Sequence, residues 1–288
     1  MRRDGPSSRR RALTTALLGG VALAAGGARG TSGPPDLDTP FVTTPDSVVG
    51  TMLELARLRP GDRLIDLGSG DGRIVLEAAR RGAIAHGVEI DPRLVALSRA
   101  AAAREGLAAR ASFAAEDLFD TDFSAADVVT MYLLPDVNAR LAPKLYATLR
   151  PDARIVSHDY GLGEWPADDT VEVDAPGKAV GRIKRSRLMR WTVPARLAGR
   201  WRGHAGDAPI ALDIAQSWQY VDGTLQWGGR ALAFARRPID GRSVDVIAGD
   251  GRGADAPTLR LRLRPDGVLA GEALAGASRH DVALRRIE

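Results

Sequence analysis

The stretch Asp66-Leu-Gly-Ser-Gly-Asp-Gly-Arg-Ile74 puts two carboxylates and three glycines into seven residues, Asp66 to Gly72. Glycines at 68, 70 and 72 let the backbone turn sharply and approach a ligand closely. A dinucleotide site spaces its glycines G-x-G-x-x-G and aims amide groups at a pyrophosphate. Here the third glycine comes one residue early. Asp71 also sets a negative charge where a phosphate would sit, and the turn holds no lysine. Neither a phosphate loop nor a typical NAD site fits; a ligand with an ammonium or sulfonium group does. Glu89 lies 23 residues after Asp66, in Gly87-Val-Glu-Ile-Asp-Pro92. An acid there can accept both hydroxyl protons of a ribose. Glu116-Asp117 follows a further apolar run and offers a carboxylate to an adenine amino group, although Asp117 serves equally as a helix cap.

Strands and helices must alternate to bring these groups together. Pro45 to Leu58 reads as a helix with Thr44 as N-cap, Pro45 at the first helical position, and Val48, Met52, Leu55 and Leu58 on one face. Residues 63–67 form a short buried strand, 68–72 a turn and 74–81 a helix. A strand at 83–89 and a helix at 92–105 follow. Further strands are expected at 111–114, 126–132 and 153–157. Strands separated by helices imply a parallel sheet, whose ligands bind at the carboxyl ends of the strands.

Asp66-x-Gly68-x-Gly70-x-Gly72, Glu89 and Asp117 resemble the binding motifs of class I S-adenosylmethionine-dependent methyltransferases. The resemblance covers about 41–193, half the chain. Phe41-Val-Thr-Thr-Pro-Asp-Ser-Val-Val upstream of the glycine turn is similar to the small group that includes mitochondrial protein-lysine methyltransferases. The resemblance implies an α/β fold with a doubly wound Rossmann-like sheet and S-adenosylmethionine as cofactor. It places Asp66 and Gly68 against the methionine part, Glu89 on the ribose and Asp117 on the adenine, with Ser69 and Gly70 also among the cofactor contacts. Thr44, at a helix start, would help hold the cofactor carboxylate. Methyl transfer is then an in-line displacement needing alignment and a dry pocket, with no metal. Met131-Tyr-Leu-Leu-Pro-Asp136 lacks the Asn/Asp-Pro-Pro-aromatic motif of nucleobase-amine methyltransferases. Tyr132 and Pro135 would instead wall the methyl channel, or Tyr132 simply packs in the core. In Ser157-His-Asp-Tyr160, His158 is a candidate base with a pKa near neutrality and Asp159 a group to orient an amine; a purely structural His158 is the competing reading.

The 288 residues include no cysteine, which excludes disulfides, thiolate nucleophiles and sulfur-bound zinc. Four histidines at 86, 158, 204 and 280 lack ligand spacing, so no metal site is expected. Residues 1–30 hold six arginines and one acid; beyond them stand 34 basic and 35 acidic residues, a net of −1. No broad basic field is left for nucleic acid. Arg2 to Arg11, then an uncharged Ala/Leu/Gly run from Ala12 to Ala28, form an export-type signal, and Ser8-Arg-Arg-Arg-Ala-Leu13 is similar to the twin-arginine pattern. The expected location is exported, periplasmic or tethered to a membrane through this segment alone; an uncleaved tether and a basic tail are the alternatives. Residues 31–40 read as a linker.

Residues 194–288 read differently. Thr258-Leu-Arg-Leu-Arg-Leu-Arg264 and the dipeptides Asp222-Gly223, Gly228-Gly229, Asp240-Gly241 and Asp266-Gly267 imply an antiparallel meander, a small sandwich or partial barrel. Trp201, Trp218, Tyr220 and Trp227 are its expected core, and Gly199-Arg-Trp-Arg-Gly203 a surface turn. Two readings of function follow. One is a methyltransferase, acting on a protein lysine or a small molecule. The other is an exported, non-catalytic binding or envelope protein on a methyltransferase scaffold.

Overall fold

The computed structural model describes residues 42–249 and 256–287. A seven-stranded sheet comes first. Its strands are β1 (Arg63–Leu67), β2 (Ile84–Glu89), β3 (Ala111–Ala115), β4 (Val128–Met131), β5 (Arg154–His158), β6 (Asp169–Asp174) and β7 (Arg185–Thr192), in the order β3-β2-β1-β4-β5-β7-β6. Strands β1 to β5 pair in parallel, with Asp66 level with Gly87 on one side and Thr130 on the other. The expected parallel sheet is corrected at its far edge: β7 runs antiparallel to both β5 and β6. A hairpin connects β6 to β7, and antiparallel neighbours are what a short turn can join.

Four helices flank the sheet: α1 (Asp46–Leu55), α2 (Arg73–Arg80), α3 (Pro92–Arg104) and α4 (Pro135–Thr148). Val48, Met52, Val75, Ala79 and Val95 pack with Leu64 and Val156 in one core, so α1 to α3 cover one face. Leu141 and Leu145 of α4 pack with Leu67, Val129, Met131 and Ile155 on the other. Each such fully buried aliphatic side chain contributes roughly 1.5–3 kcal/mol. The start of α1 departs from expectation. Pro45, in extended conformation, is the N-cap residue and its carbonyl accepts from the Val48 and Val49 amides. Thr44 is therefore not the cap, and the helix closes at Leu55, three residues before Leu58. Asp91 does cap α3, accepting from the Arg93 amide at 2.9 Å, with Pro92 at the first helical position.

The second sheet closes on itself. Strands β8 (Gly199–Ala205), β9 (Ala208–Ser217), β10 (Tyr220–Trp227), β11 (Arg230–Asp240), β12 (Ser243–Ile247), β13 (Thr258–Leu263), β14 (Val268–Ala275) and β15 (Ser278–Arg286) form an antiparallel barrel, sealed by β15 against β8. Closure leaves no free edge, which a sandwich or partial barrel would have. Leu259 and Leu261 point inward while Arg260 and Arg262 are exposed, so the Leu-Arg alternation is the barrel's two faces. Gly199–Gly203 is strand β8, not a surface turn: an added Cβ on Gly203 would lie 1.9 Å from the Ala283 carbonyl oxygen, so only glycine admits the β15 backbone there. Asp222-Gly223 is no turn either; it is a bulge inside β10, and the chain reverses instead at Trp218-Gln219.

The barrel hangs from the edge that carries the amino ends of the parallel strands. Strand β7 delivers the chain there, Thr192 lying opposite Arg154. Arg242 bonds Asp152 at 3.0 Å, and the Trp218 ring stacks on Trp165 with centroids 5.2 Å apart. Tyr146 meets both indoles edge-on. Trp218 thus belongs to this junction and not to the barrel core, where Trp201 is 1% exposed. Trp227 is partly buried against that core. Tyr220 is half-buried, with the Arg236 guanidinium over its ring.

Candidate active site

At the opposite edge, the carboxyl ends of β1, β2 and β4 surround a pocket of about 300 Å³. Its floor is the glycine turn. Gly68, Gly70 and Gly72 all adopt positive φ (71°, 54° and 80°), the conformation that excludes ordinary side chains. A Cβ on Gly68 would come within 2.7 Å of Leu133 Cδ2. The turn is held from outside. Glu89 Oε2 accepts from the Gly70 amide at 2.9 Å, Oε1 accepts from the Asp91 amide at 3.0 Å, and Ser98 donates to the Gly70 carbonyl at 3.1 Å. Glu89 faces the crevice, and each of its oxygens keeps a further lone pair for a ligand hydroxyl.

Asp66 is 3% exposed and lines the pocket. Thr130 donates to its Oδ1 at 2.7 Å. Burial pushes its pKa up to about 7; the Thr130 bond opposes this, and the Glu89 and Asp71 carboxylates add to it. Asp71 plays a different part from that expected of a free loop acid. Arg73, at the start of α2, pairs with it at 2.6 Å and also reaches the Thr44 carbonyl and Asp46. The uncompensated carboxylates beside the turn are accordingly Asp66 and Glu89.

Of the remaining expected cofactor contacts, Thr44, Ser69 and Asp117 all line the pocket. Asp117 also accepts from the Phe119 amide at 2.8 Å, so it caps its own turn while facing the cavity. Among the described residues the buried Ser69 hydroxyl has no hydrogen-bond partner. Thr44 is 4% exposed and spends its hydroxyl on His158 Nδ1 at 3.0 Å. The apolar walls escaped the sequence reading: Ile90, Leu94, Leu118 and Phe119 at one end, Leu133 and Val137 at the other. Their signal was position, each lying within a few residues of a motif acid or of Tyr132.

The three expected catalytic residues separate. Tyr132 lines the pocket, whereas His158 and Asp159 stand behind it. The Tyr132 hydroxyl donates to Asp159 Oδ2 at 3.2 Å and its ring lies on the His158 ring, centroids 3.9 Å apart. Burial, and then the Asp159 charge, raise the Tyr132 pKa, so the phenol keeps its proton. The neutral-range base expected at 158 is corrected. His158 is fully buried, both ring nitrogens are engaged by Thr44 and Ser186 (3.0 and 2.7 Å), and burial lowers its pKa to about 4. Asp159 sits at φ +63° and accepts the Lys178 ammonium at 2.7 Å and the Arg187 amide at 3.1 Å. Burial raises its pKa, but the Lys178 and Arg187 bonds outweigh it and hold the carboxyl below its usual range. Pro135 opens α4 and is not among the pocket walls.

The donor set suits S-adenosylmethionine: two uncompensated carboxylates for its cationic half, side-chain-free backbone beneath, and apolar walls beyond the ribose acid. Among the described residues no group of three or more His, Asp or Glu is placed to hold a metal ion.

Comparison with known proteins agrees with the geometry. The model of the ANTKMT methyltransferase domain matches residues 66–169. A protein-lysine N-methyltransferase of Saccharolobus islandicus is 40% identical over 137 residues, 47% of this chain and 85% of that protein. The adenine nucleotide translocase lysine N-methyltransferase of Mus musculus is 40% identical over 130 residues, 45% of this chain and 56% of that protein. Among solved structures, an RNA methyltransferase from Salinibacter ruber in complex with S-adenosyl-L-homocysteine is 47% identical, with a TM-score of 0.49, over 54% of this chain and 96% of that one. The chain belongs to the class I S-adenosylmethionine-dependent methyltransferases, in the family of the protein-lysine N-methyltransferases it matches.

Proposed function

We propose that this methyltransferase acts on lysine amines of a protein acceptor. The observation that supports the reading is the 40% identity to a protein-lysine N-methyltransferase over 85% of that protein, together with the Tyr132 phenol lining the pocket beside Leu133, held by Asp159 from behind. S-adenosylmethionine, when bound, supplies a methyl group on a positively charged sulfur. The chain's own residues do the rest. Asp66 and Glu89 favour a cation beside the glycine turn, and Glu89 also fixes the Gly70 amide. Leu133 and Val137 keep water from the reacting end. Tyr132, protonated and oriented by Asp159, offers its phenol oxygen to an incoming amine and aligns it. The neutral His158 serves as the platform under that ring.

The test is transfer of labelled methyl groups from S-adenosylmethionine into a cell extract, followed by protease or ribonuclease. Protease-sensitive label recovered as methyl-lysine is expected; ribonuclease-sensitive label would replace the lysine reading with an RNA acceptor.

We also propose that residues 1–30 direct export. They lie outside the described residues, as does the twin-arginine-like segment. A mature N-terminus between Ala24 and about Gly30 supports this; recovery of the chain with Met1 from the cytoplasm would overturn it.

A further inference from the structure

The turn between β6 and β7 contributes no pocket wall and is not needed to close the sheet. The turn carries Lys178, Arg182 and Lys184 and the first residues of β7 add Arg185 and Arg187, with not one acid from Ala175 to Arg187. Lys178 is engaged by Asp159, and Arg185 by Glu172 and Asp174 at 3.1 and 3.6 Å. Arg182 and Lys184 have no carboxylate partner among the described residues, although the Lys184 ammonium donates to the Lys178 carbonyl, and both are exposed. Between the cations stand Val180 and Ile183, 53% and 72% exposed; Ile183 is the most exposed large hydrophobic residue described. Gly181, at φ +90°, makes the reversal that thrusts them outward, with nothing within 4 Å of where its Cβ would be.

Single exposed aliphatics are ordinary on protein surfaces. Two at the apex of one turn, ringed by cations, form an apolar point with a basic collar. The turn also has a definite place. Because β6 is parallel to β5, it reverses at the carboxyl edge, where the pocket opens. A Cβ on Gly177 would lie 3.7 Å from Pro45, at the entry to α1, and Lys178 reaches Asp159 beside Tyr132.

We infer that the β6–β7 turn is a docking tip for an anionic phospholipid surface. Aliphatic side chains enter the boundary between headgroups and acyl chains while lysine and arginine stay with the negatively charged headgroups. An acidic protein surface would satisfy Arg182 and Lys184 but would also need an apolar patch matched to Val180 and Ile183, whereas an anionic bilayer offers both chemistries at any point of its surface. Seated this way, the tip brings the pocket mouth to the bilayer surface.

The absence of cysteine provides the probe. Ile183→Cys in the full chain takes a single environment-sensitive fluorophore, and Ser278→Cys on the barrel is the control. The six arginines of residues 1–30 would themselves draw the chain to anionic vesicles, so a label on the tip is diagnostic where sedimentation is not. Vesicles of phosphatidylcholine with about one third phosphatidylglycerol should shift the emission of the 183 label to the blue, and leave the 278 label unchanged. Adding Arg182→Gln and Lys184→Gln should raise the lipid concentration needed roughly thirtyfold, and added salt should act in the same direction. Val180→Asp should abolish the shift. An unaltered 183 spectrum with anionic vesicles overturns the inference. So does an equal shift with pure phosphatidylcholine. A shift with polyglutamate but not with vesicles assigns the tip to an acidic protein instead. None of these readouts involves methyl transfer, so the lipid reading and the lysine reading stand or fall separately.

Discussion

Asp66→Asn separates the stability of the empty protein from its grip on the cofactor, and should move them in opposite directions. In the folded chain burial raises the Asp66 pKa from 3.8 to about 7. Between those values the folded state holds a proton that the unfolded state has released, so stability falls as pH climbs through this window. Above pH 7 the full cost is present, about 4 kcal/mol. Asparagine removes the charge and still offers an oxygen to the Thr130 hydroxyl, which now meets Asp66 Oδ1 at 2.7 Å. The variant should therefore melt higher than the wild type at pH 8, by roughly 10 °C for a gain of this size, and the gap should close near pH 4. Binding of a cationic ligand needs the carboxylate. One unit below its pKa only about one Asp66 in eleven is ionised. Wild-type affinity for S-adenosylmethionine should consequently weaken about eightfold from pH 7.5 to pH 6, a range kept below about 7.7 because there the ligand's own ammonium titrates. In Asp66→Asn the affinity should be low and flat with pH. Calorimetric titration and thermal melts of the same preparations measure both sides. A wild-type affinity that does not change over this range, or a variant that melts below the wild type at pH 8, refutes the reasoning.

Four further outcomes follow from the site and the barrel. Tyr132→Phe keeps the ring on His158 but loses the hydroxyl, so kcat should fall about tenfold, the value of one hydrogen bond to a charged group, while the calorimetric affinity for cofactor stays within about twofold. In His158→Gln any limb of the kcat/KM–pH profile near pH 7 should persist, since His158 with its pKa of about 4 is already neutral there; disappearance of that limb would restore it as the base. Gly68→Ala forces a Cβ to within 2.7 Å of Leu133 at a φ of +71°; cofactor binding should weaken at least about fivefold through about 1–3 kcal/mol of strain, and adding Leu133→Ala should recover part of it. Gly203→Ala should lower the melting temperature sharply by prying β15 from β8, yet at 15 °C the remaining folded protein should titrate S-adenosylmethionine with wild-type affinity, because the barrel hangs from the other edge of the sheet (about 15 °C is near the usual stability maximum).

The cofactor side of the site was legible because its requirements are local. Three glycines with positive φ, an acid ending β1 and an acid ending β2 are each fixed by neighbours in sequence, and Arg63–Leu67 forms its strand with the boundaries read from the residues. The acceptor side was not, because its contacts are long-range. His158 looks titratable until Thr44, 114 residues away, and Ser186 occupy its nitrogens. Asp159 acquires its ammonium from a turn beyond strand β6, whose alternation is limited to Val171 and Val173, while Asp169, Thr170, Glu172 and Asp174 are all exposed at the sheet edge. Asp71 seemed an uncompensated loop charge because nothing in the sequence says that the Arg73 side chain folds back onto it. In the barrel, alternation gave strands but not closure. The seam between β8 and β15 rests on Gly203, and a glycine between Arg202 and His204 reads as a turn until the opposing backbone is known.

The junction of Trp165, Trp218 and Tyr146 has a practical corollary. Stacked rings with Gln216 and Gln219 tied across them give a stiff mount with little room to swivel. A bulky partner, an affinity handle or a solid support gripping the β-cylinder would stand on the reverse side of the molecule from the cofactor crevice, which suits this chain to immobilised turnover with its working face left unobstructed.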